Sequence, residues 1–301
     1  MPMIFKTYSE LCKALLSFFT ACSAATGYFL ALASGDRHTV IQHSQSFAGL
    51  ITTLTGVFLL ACGASALNQV QERNIDGRME RTCRRPIPSG RMTLFQGLIV
   101  SIALICLGLF LLSSRSDRNP AVLGLFALLW YNAVYTYLKR ISAFAAVPGA
   151  LVGAMPPAIG WVSAGGSISD LRLFALCMFF FLWQVPHFWL LVLSQGKEYE
   201  NAGLPSLTQV LDRHQIARIT FAWIFAAAIA ALALPLYGFV RSPLIFLPYL
   251  PPALWLIWKG RSLIKLNERH TDAPLLFRSM NLYLFFLMSL LSLESIFSPV
   301  P

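Results

Sequence analysis

Charged side chains are scarce in this sequence. Asp, Glu, Lys and Arg together make up 12% of its 301 residues, whereas soluble domains average about 25%. Apolar residues make up 56%, and the mean hydropathy is +0.64. The shortage of charge excludes an ordinary soluble domain and indicates an integral membrane protein.

Acidic residues are scarcer than basic ones, 13 against 23 Lys and Arg, which gives a net charge of +10. A basic balance can indicate a nucleic-acid partner. Here the basic residues fall in short segments between long apolar runs, where they orient membrane helices or attract anionic ligands. We therefore expect a lipid bilayer and anionic small molecules as partners, and no nucleic acid.

Two further kinds of motif are missing. The six cysteines form no CxxC pair and no zinc-type spacing, so we expect buried apolar thiols and no structural disulfide. No small-residue cleavage site follows the first apolar run, and no segment rich in Arg and Ser precedes it. The expected location is therefore a bacterial inner membrane.

Long apolar runs are what the sequence does have, and a helix that crosses a bilayer needs about 20 residues of this kind. Nine candidate spans lie at residues 11–34, 46–68, 93–113, 120–138, 143–163, 171–194, 216–237, 243–259 and 275–297. We predict an all-α polytopic bundle of about nine transmembrane helices around a central cavity open to lipid, with one domain over residues 1–301. This topology places eighteen of the 23 Lys and Arg residues on the N-terminal side, so the N-terminus should be cytoplasmic.

The segment between the second and third spans carries unusual polar residues. If the preceding helix continues, Asn68, Glu72 and Asp76 lie at i, i+4 and i+8, and each step advances about 40° around the helix, so all three face one way. An amide and two carboxylates are oxygen ligands of the kind that Mg²⁺ prefers. Carboxylates are costly near a bilayer and are retained there for function. We predict that these three residues are catalytic and bind Mg²⁺.

Basic residues surround this stripe, and guanidinium groups bind phosphate in bidentate fashion. Together, oxygen ligands and cations can hold a Mg²⁺–diphosphate. The same cations can also serve only to orient the loops, and both interpretations stay open for the pair after the fourth span. The candidate diphosphate-binding residues are Arg73, Arg81, Arg84, Arg85, Lys139, Arg140 and Lys197.

A second acidic loop is predicted at residues 195–215, after the sixth span. It contains Glu198 and Glu200, which are further candidate metal ligands. Its exit, LPSL at 204–207, is similar to IPSG at 87–90. A weak internal duplication would place the two acidic loops across one cavity, as in other repeat-built membrane proteins.

His187 lies just before this second loop, after Pro186, which should kink the sixth span. A histidine here can bind substrate or transfer a proton near neutral pH. It can equally serve only to form a hydrogen bond between neighbouring helices. We include His187 and Lys139 among the candidate catalytic residues.

The run from Asn68 to Pro88, N-x-x-x-E-R-N-I-D-x-x-M-x-R-T-x-x-R-P-I-P, resembles the first motif of the UbiA-type intramembrane prenyltransferases. Further matches are YT-x-x-LKR at 135–140, PPAIGW at 156–161, and PHFW followed by EY-x-x-AGLP at 186–205. Within that superfamily the pattern is most similar to the heme-farnesylating subgroup. The resemblance implies a nine-helix bundle that binds a prenyl diphosphate through Mg²⁺ held by two acidic motifs.

The resemblance also implies roles for individual residues. Asn68, Glu72 and Asp76 would form the first acidic motif, and His187 would lie near the porphyrin. The residues implied to hold diphosphate are Arg81, Arg85, Lys139 and Arg140.

The sequence departs from the family pattern mainly in the second motif. Lys197-Glu198-Tyr199 stands where the subgroup has two consecutive acids before Tyr. Either Lys197 contacts the diphosphate itself or Glu200 replaces the missing ligand. Other departures are Asn74 in place of Asp, Gln184-Val185-Pro186 in place of Thr-Pro-Pro, and Ser206 in place of Met.

The function implied is transfer of a farnesyl group from farnesyl diphosphate to a vinyl group of heme b. A heme-modifying or oxidase-assembly protein is a candidate partner, and action without one is the alternative. A quinone precursor or another aromatic acceptor is an alternative substrate. A catalytically silent assembly factor or a transporter is an alternative of another class, and Lys197 is the feature that favours it.

Overall fold

A computed structural model describes residues 2–34, 47–114, 117–239, 247–264 and 273–297. These residues form helices and short connections, with no β-strand within the described ranges. In chain order the helices are α1 (Pro2–Cys12), α2 (Ala14–Ser34), α3 (Phe47–Asp76), α4 (Leu94–Ser113), α5 (Asn119–Leu138), α6 (Ala146–Ser163), α7 (Leu171–Asn201), α8 (Leu207–Val210), α9 (Arg213–Tyr237), α10 (Leu250–Gly260) and α11 (Ala273–Phe297). Within α5, Trp130–Tyr135 is a π-helix, and α9 ends in the 3₁₀ turn Leu234–Tyr237.

The long helices close into a ring. Each of α2 to α7 packs on the next, α7 packs on α9, α9 on α10, α10 on α11, and α11 returns to α2. In addition, α2 packs directly on α6, where Gly27 and Gly160 permit backbone contact. A Cβ at Gly27 would lie 1.9 Å from the carbonyl oxygen of Pro157. Small residues at this crossing are what allow two membrane helices to approach so closely.

Eight helices in the described part of the chain are long and apolar enough to cross a membrane. They coincide with eight of the nine predicted spans, which confirms the all-helical, multi-pass architecture. The ninth predicted span, 243–259, contains α10, whose 11 residues begin at Leu250; residues 240–246 lie outside the described ranges.

Two helices extend beyond their apolar runs. The helix α3 continues to Asp76, as the stripe of polar residues requires. The helix α7 continues to Asn201, so the prediction of a loop from residue 195 is wrong for its first seven residues. Gln, Lys and Glu are good helix formers, and a helix need not end where it leaves the apolar layer.

The end of α7 is set by Gly203, whose φ of +80° is the left-handed conformation that glycine adopts easily. The N–H of Gly203 donates to the carbonyl of Glu200 at 2.9 Å, and the N–H of Leu204 donates to the carbonyl of Tyr199 at 3.0 Å. This pair of bonds is a Schellman motif. Upstream, α7 stays helical through Pro186, and the kink predicted there remains a prediction.

Several chain segments meet at one end of the ring. The Gln69 side chain on α3 donates to the carbonyls of Glu10 and Leu11 at the end of α1, at 2.9 and 2.8 Å. From the connection after α3, the Arg81 N–H donates to the Glu198 carboxylate on α7 at 2.6 Å. The predicted topology places these segments on one side of the membrane, and the structure brings them together. That this side is cytoplasmic remains a prediction, and five of the charges counted for it lie outside the described residues: Arg37, Arg115, Arg241, Lys265 and Arg269.

Candidate functional site

The polar stripe of α3 is buried. Asn68, Glu72 and Asp76 are 2%, 4% and 3% exposed, respectively. Each side chain faces a partner from another part of the chain. A buried carboxylate is stable only with a cation or with several hydrogen bonds, so the identity of these partners defines the site.

Asp76 pairs with Arg85. The Arg85 Nη1 atom lies 2.8 Å from both carboxylate oxygens. The connection after α3 folds back to make this contact, and it is held by the Thr82 hydroxyl, which donates to the Asp76 carbonyl at 2.9 Å. The Asp76 side chain is 4% exposed and that of Arg85 is 20% exposed, so one end of the pair is open to a ligand.

Glu72 forms an ion pair with Lys139, which directly follows α5. The Lys139 ammonium also lies over the Tyr135 ring, 5.7 Å from its centroid. Glu72 Oε1 is buried and has no hydrogen bond among the described residues, so at this oxygen the ion pair with Lys139 is the main compensation for its charge. A buried acid that relies on one lysine can exchange that partner when a ligand enters.

Asn68 forms a hydrogen bond with α5 through Thr136, and its Nδ2 donates to the Thr136 hydroxyl at 3.1 Å. One turn earlier on α5, Asn132 donates to Gln71 Oε1 at 3.1 Å, and Gln71 Nε2 donates back to the Asn132 carbonyl at 3.2 Å. These polar contacts fix α3 against α5. The sequence analysis did not identify Gln71, Asn132 or Thr136 as part of the site.

Lys13, one of the basic residues counted above for membrane orientation, also lies near the stripe. It joins α1 to α2 with a φ of +46°, which is rare for a residue with a side chain. Its pKa is lowered to about 7, mainly by burial and also by the positive charges of Arg85 and Lys139, although Glu72 and Asp76 oppose this change. Lys13 therefore lies within electrostatic reach of the stripe. Its position at a break between two helices, inside an otherwise apolar run, is the signal that could have identified it.

The two acids of the second motif, Glu198 and Glu200, contact different parts of the chain. Glu198 accepts the Arg81 N–H, and this contact links α7 to the connection after α3. Glu200 accepts a hydrogen bond from Thr208, only eight residues along the chain. Two positions on a helix lie about 200° apart around its axis, so the two carboxylates cannot both face the stripe. Lys197 is exposed.

The other predicted diphosphate contacts lie at the edge of the site. Arg73, Arg81 and Arg84 are exposed. The Arg73 guanidinium donates a hydrogen bond to the Val70 carbonyl of its own helix at 3.4 Å. Arg140 donates to the Gln71 carbonyl at 3.0 Å, so it contributes to the contact between α3 and α5. The structure thus brings Arg85 and Lys139 directly to the stripe, and Arg140 only to the backbone of the same helix.

His187 lies within an aromatic cluster. Its ring centroid is 4.7 Å from that of Trp183 and 4.5 Å from that of Phe277, and its Nδ1 is buried without a hydrogen-bond partner among the described residues. The adjacent Phe188 stacks on Tyr135 at 5.9 Å. Aromatic contacts therefore connect His187 to the ring beneath Lys139.

The carboxylates do not form a metal-binding cluster by themselves. No three His, Cys, Asp or Glu side chains in the described ranges are placed so that they could hold a metal ion. The five predicted ligands, Asn68, Glu72, Asp76, Glu198 and Glu200, are therefore not gathered around one point. Instead, two buried acids face cations, and the amide on the same stripe faces Thr136, at the polar end of the helix ring.

A ring of membrane helices with two carboxylates, an amide and cations at one end has the charges that a phosphate-bearing ligand and a metal ion require. The chain belongs to the UbiA prenyltransferase family, whose model matches residues 14–290. Among its relatives, a protein from Geobacter sulfurreducens named protoheme IX farnesyltransferase is 42% identical over 214 residues, which cover 68% of this chain and 79% of that protein. A protein of the same name from Legionella pneumophila is 31% identical over 99% of this chain and 97% of its own.

Solved structures share the fold. The apo structure of a UbiA homolog from Aeropyrum pernix superposes with a TM-score of 0.73 at 17% identity and covers 95% of this chain and 98% of that one. A UbiA homolog from Archaeoglobus fulgidus, bound to GPP and Mg²⁺, superposes with a TM-score of 0.66 at 12% identity, with 95% and 99% covered. At these identities the likeness concerns the fold.

Proposed function

We propose that this protein transfers the farnesyl group of farnesyl diphosphate to a vinyl group of heme b and so forms heme O. The observation that carries the proposal is the buried stripe of Asn68, Glu72 and Asp76 facing Arg85 and Lys139. Relatives named protoheme IX farnesyltransferase, which match nearly the whole chain in one case, support the choice of donor and acceptor.

The residues present fit a Mg²⁺ ion bound together with diphosphate. Mg²⁺ usually takes only one or two protein carboxylates and completes its shell with water and substrate phosphates. Two acids and an amide are therefore sufficient, and Asn68, Glu72 and Asp76 would hold the ion. When bound, Mg²⁺ offsets negative charge on the departing diphosphate.

The two ion pairs of the site indicate how its charges are used. Glu72 and Lys139 neutralise each other, and Asp76 and Arg85 do the same. A diphosphate gives both cations a new partner and leaves the carboxylates free for a metal ion. Fixed cations then stabilise the charge that develops as the C1–O bond of farnesyl diphosphate breaks, which is the main way that such sites accelerate ionisation.

The remaining predicted contacts are proposed at the edge of the diphosphate. Arg81 and Arg84 lie in the connection between Asp76 and Arg85, and they are exposed where a headgroup would enter. Arg73, Arg140 and Lys197 are weaker candidates, because the first two contact backbone carbonyls of α3. Glu198 and Glu200 remain candidates for a second metal position.

The acceptor is proposed to lie along the aromatic cluster. Tyr131, Tyr135 and Phe188 form a stack with centroids 6.0 and 5.9 Å apart, and His187 adjoins it. Flat apolar surfaces of this kind suit a porphyrin. The vinyl carbon forms a bond to farnesyl C1, diphosphate leaves with the electron pair of the C1–O bond, and water adds a hydroxyl and releases a proton.

The protein is multi-pass, and we propose a bacterial inner membrane with the site at the cytoplasmic surface. The segments that meet at the site are rich in Lys and Arg, which favours that orientation. A soluble phosphate product would then be released to the cytoplasm. Insertion of a cysteine in the exposed segment near Arg81, followed by labelling in intact cells and in inverted vesicles, tests this orientation.

The decisive experiment supplies purified protein in lipid vesicles with labelled farnesyl diphosphate, Mg²⁺, and either heme b or an aromatic acid. Mass spectrometry of the extracted products should show labelled hydroxyethylfarnesyl heme with the wild type, and none with Asp76→Ala. A labelled aromatic product together with unmodified heme would show that the acceptor is an aromatic compound and not heme b. No diphosphate release with any acceptor would indicate a silent protein.

A further inference from the structure

Thr136 is fully buried, at 0% exposed, and lies between Asn68 and the π-helix of α5. Its hydroxyl takes part in two hydrogen bonds. It donates to the Tyr131 carbonyl at 2.9 Å, and it lies 3.1 Å from Asn68 Nδ2. No role in the proposed reaction has so far been given to this residue.

The direction of these two bonds follows from counting protons. A hydroxyl has one proton to donate, and a backbone carbonyl can only accept. The Thr136 proton is therefore committed to Tyr131, and the hydroxyl oxygen can only accept from Asn68. Asn68 must present its NH₂ group to Thr136, which leaves the amide oxygen as the end available to a cation. The orientation of a buried amide is decided by such a network.

The π-helix makes this arrangement possible. In an α-helix the hydroxyl of a threonine bonds to the carbonyl four residues earlier. Here it bonds to Tyr131, five residues earlier, and so does the Thr136 N–H. The carbonyl four residues earlier, that of Asn132, instead accepts from Gln71 on α3. Single π-turns of this kind are frequent at functional sites.

We propose that Thr136 is a positioning residue, which holds the Asn68 amide so that its oxygen rather than its NH₂ group faces the bound metal ion. This inference rests on the proposed function, because it gives Asn68 the role of a Mg²⁺ ligand. Without Thr136 the amide can rotate, and its NH₂ group then repels the cation. Partners that orient a ligand in this way are typically worth about 10- to 100-fold in metal affinity.

The test measures metal binding directly. Full-length protein in detergent is titrated with Mn²⁺ in the presence of inorganic pyrophosphate, and bound Mn²⁺ is followed by electron paramagnetic resonance. Thr136→Val, which keeps the shape but lacks the hydroxyl, should bind Mn²⁺ about 10- to 100-fold more weakly. Thr136→Ser should stay within a few-fold of the wild type.

The matched control is Thr220→Val. Thr220 on α9 is also 0% exposed, and its hydroxyl donates only to Ile216 of its own helix, at 2.6 Å. This variant should bind Mn²⁺ as the wild type does. If Thr136→Val does not fold, Thr136→Cys has a similar size and a sulfur that accepts hydrogen bonds weakly, so it should show the same loss.

The same substitution made in an Asn68→Asp background distinguishes loss of amide orientation from general damage to the site. The carboxylate of Asn68→Asp presents an oxygen whichever way it turns, so the addition of Thr136→Val should cause little further loss of Mn²⁺ affinity. An equal loss in both backgrounds would overturn the inference. So would Thr136→Val binding Mn²⁺ as tightly as the wild type at an unchanged melting temperature. A wild type that binds no Mn²⁺ with pyrophosphate contradicts the metal site of the proposed function as well.

Discussion

The ends of α3 and α7 both carry acidic motifs at the same end of the helix ring, but they use their acids differently. On α3 the polar residues are spaced by four, so three of them face one way and all are buried. On α7 the acids are spaced by two, so Glu198 reaches the connection after α3 while Glu200 bonds to Thr208. The spacing of the polar residues therefore places those of α3 on one shared face, whereas each acid of α7 makes a separate structural contact.

In the proposed function the charge chemistry therefore belongs to α3, and α7 contributes the contact of Glu198 with the connection after α3. The carboxylates of α3 have cations as partners, which a diphosphate can draw away. Glu198 has a backbone N–H as its partner, and that bond can persist when a ligand is present. The departure of Lys197 from the family pattern then falls on the motif whose charge matters less.

The largest effect should follow from loss of charge on α3. Asp76→Asn and Glu72→Gln keep the shape of each side chain but remove its negative charge, and farnesyl transfer should fall by about 100- to 1,000-fold, the range seen when one fixed electrostatic group is removed. The measurement is labelled farnesyl transferred to heme b under saturating donor. The control is Glu80→Gln, an exposed acid in the nearby connection, which should keep full activity.

The next largest loss of activity is expected for Lys139, and Lys197 provides the comparison. Lys139→Met leaves Glu72 buried without a cation, and breaking a buried pair in this way costs about 3–5 kcal/mol in full burial, less here because the Lys139 side chain is 22% exposed. We expect activity to fall by about 100-fold and the melting temperature to decrease. Lys197→Met, at an exposed position, should change neither by much. A greater loss from Lys197→Met would show that the diphosphate lies against α7.

A smaller effect should separate the two acids of α7. Glu198→Ala removes the acceptor of the Arg81 N–H, and we expect KM for farnesyl diphosphate to rise about tenfold, the low end of the contribution of one hydrogen bond to a charged acceptor. Glu198→Gln keeps an acceptor and should recover most of that loss. Glu200→Ala should lower stability with little change in KM. If Glu198→Gln is as inactive as Glu198→Ala, the charge itself is needed and Glu198 is a metal ligand.

The sequence predicts what depends on helical spacing and little of what depends on contacts between helices. The α3 stripe could be predicted because i, i+4 and i+8 share a face on any continuous helix. The opposite directions of Glu198 and Glu200 would have followed too, if Gly203 before Pro205 had been taken as the end of α7. The partnership of Thr136 with Asn68 could not be predicted, because it requires a π-helix and the register of α5 against α3.

The smallest effect concerns Lys13, which neither acidic motif contains. Its pKa of about 7 results from burial and from Arg85 and Lys139, while Glu72 and Asp76 oppose the decrease. A bound diphosphate favours the charged form of Lys13, so we expect its binding to take up a proton near pH 7. Affinity should therefore fall as pH rises above 7, by up to about tenfold per pH unit for one linked proton.

Measurement of KM for farnesyl diphosphate between pH 6 and 9 tests this linkage. Lys13→Met should raise KM most below pH 7, where the wild-type lysine is charged, and its KM should change less with pH than that of the wild type. Lys6→Met, an exposed lysine on α1, should keep the wild-type profile, and the pH dependence that remains in Lys13→Met is the part that belongs to the diphosphate. Parallel profiles for Lys13→Met and the wild type would exclude Lys13 from the diphosphate site and leave α3 and its two ion-pair partners as the whole of it.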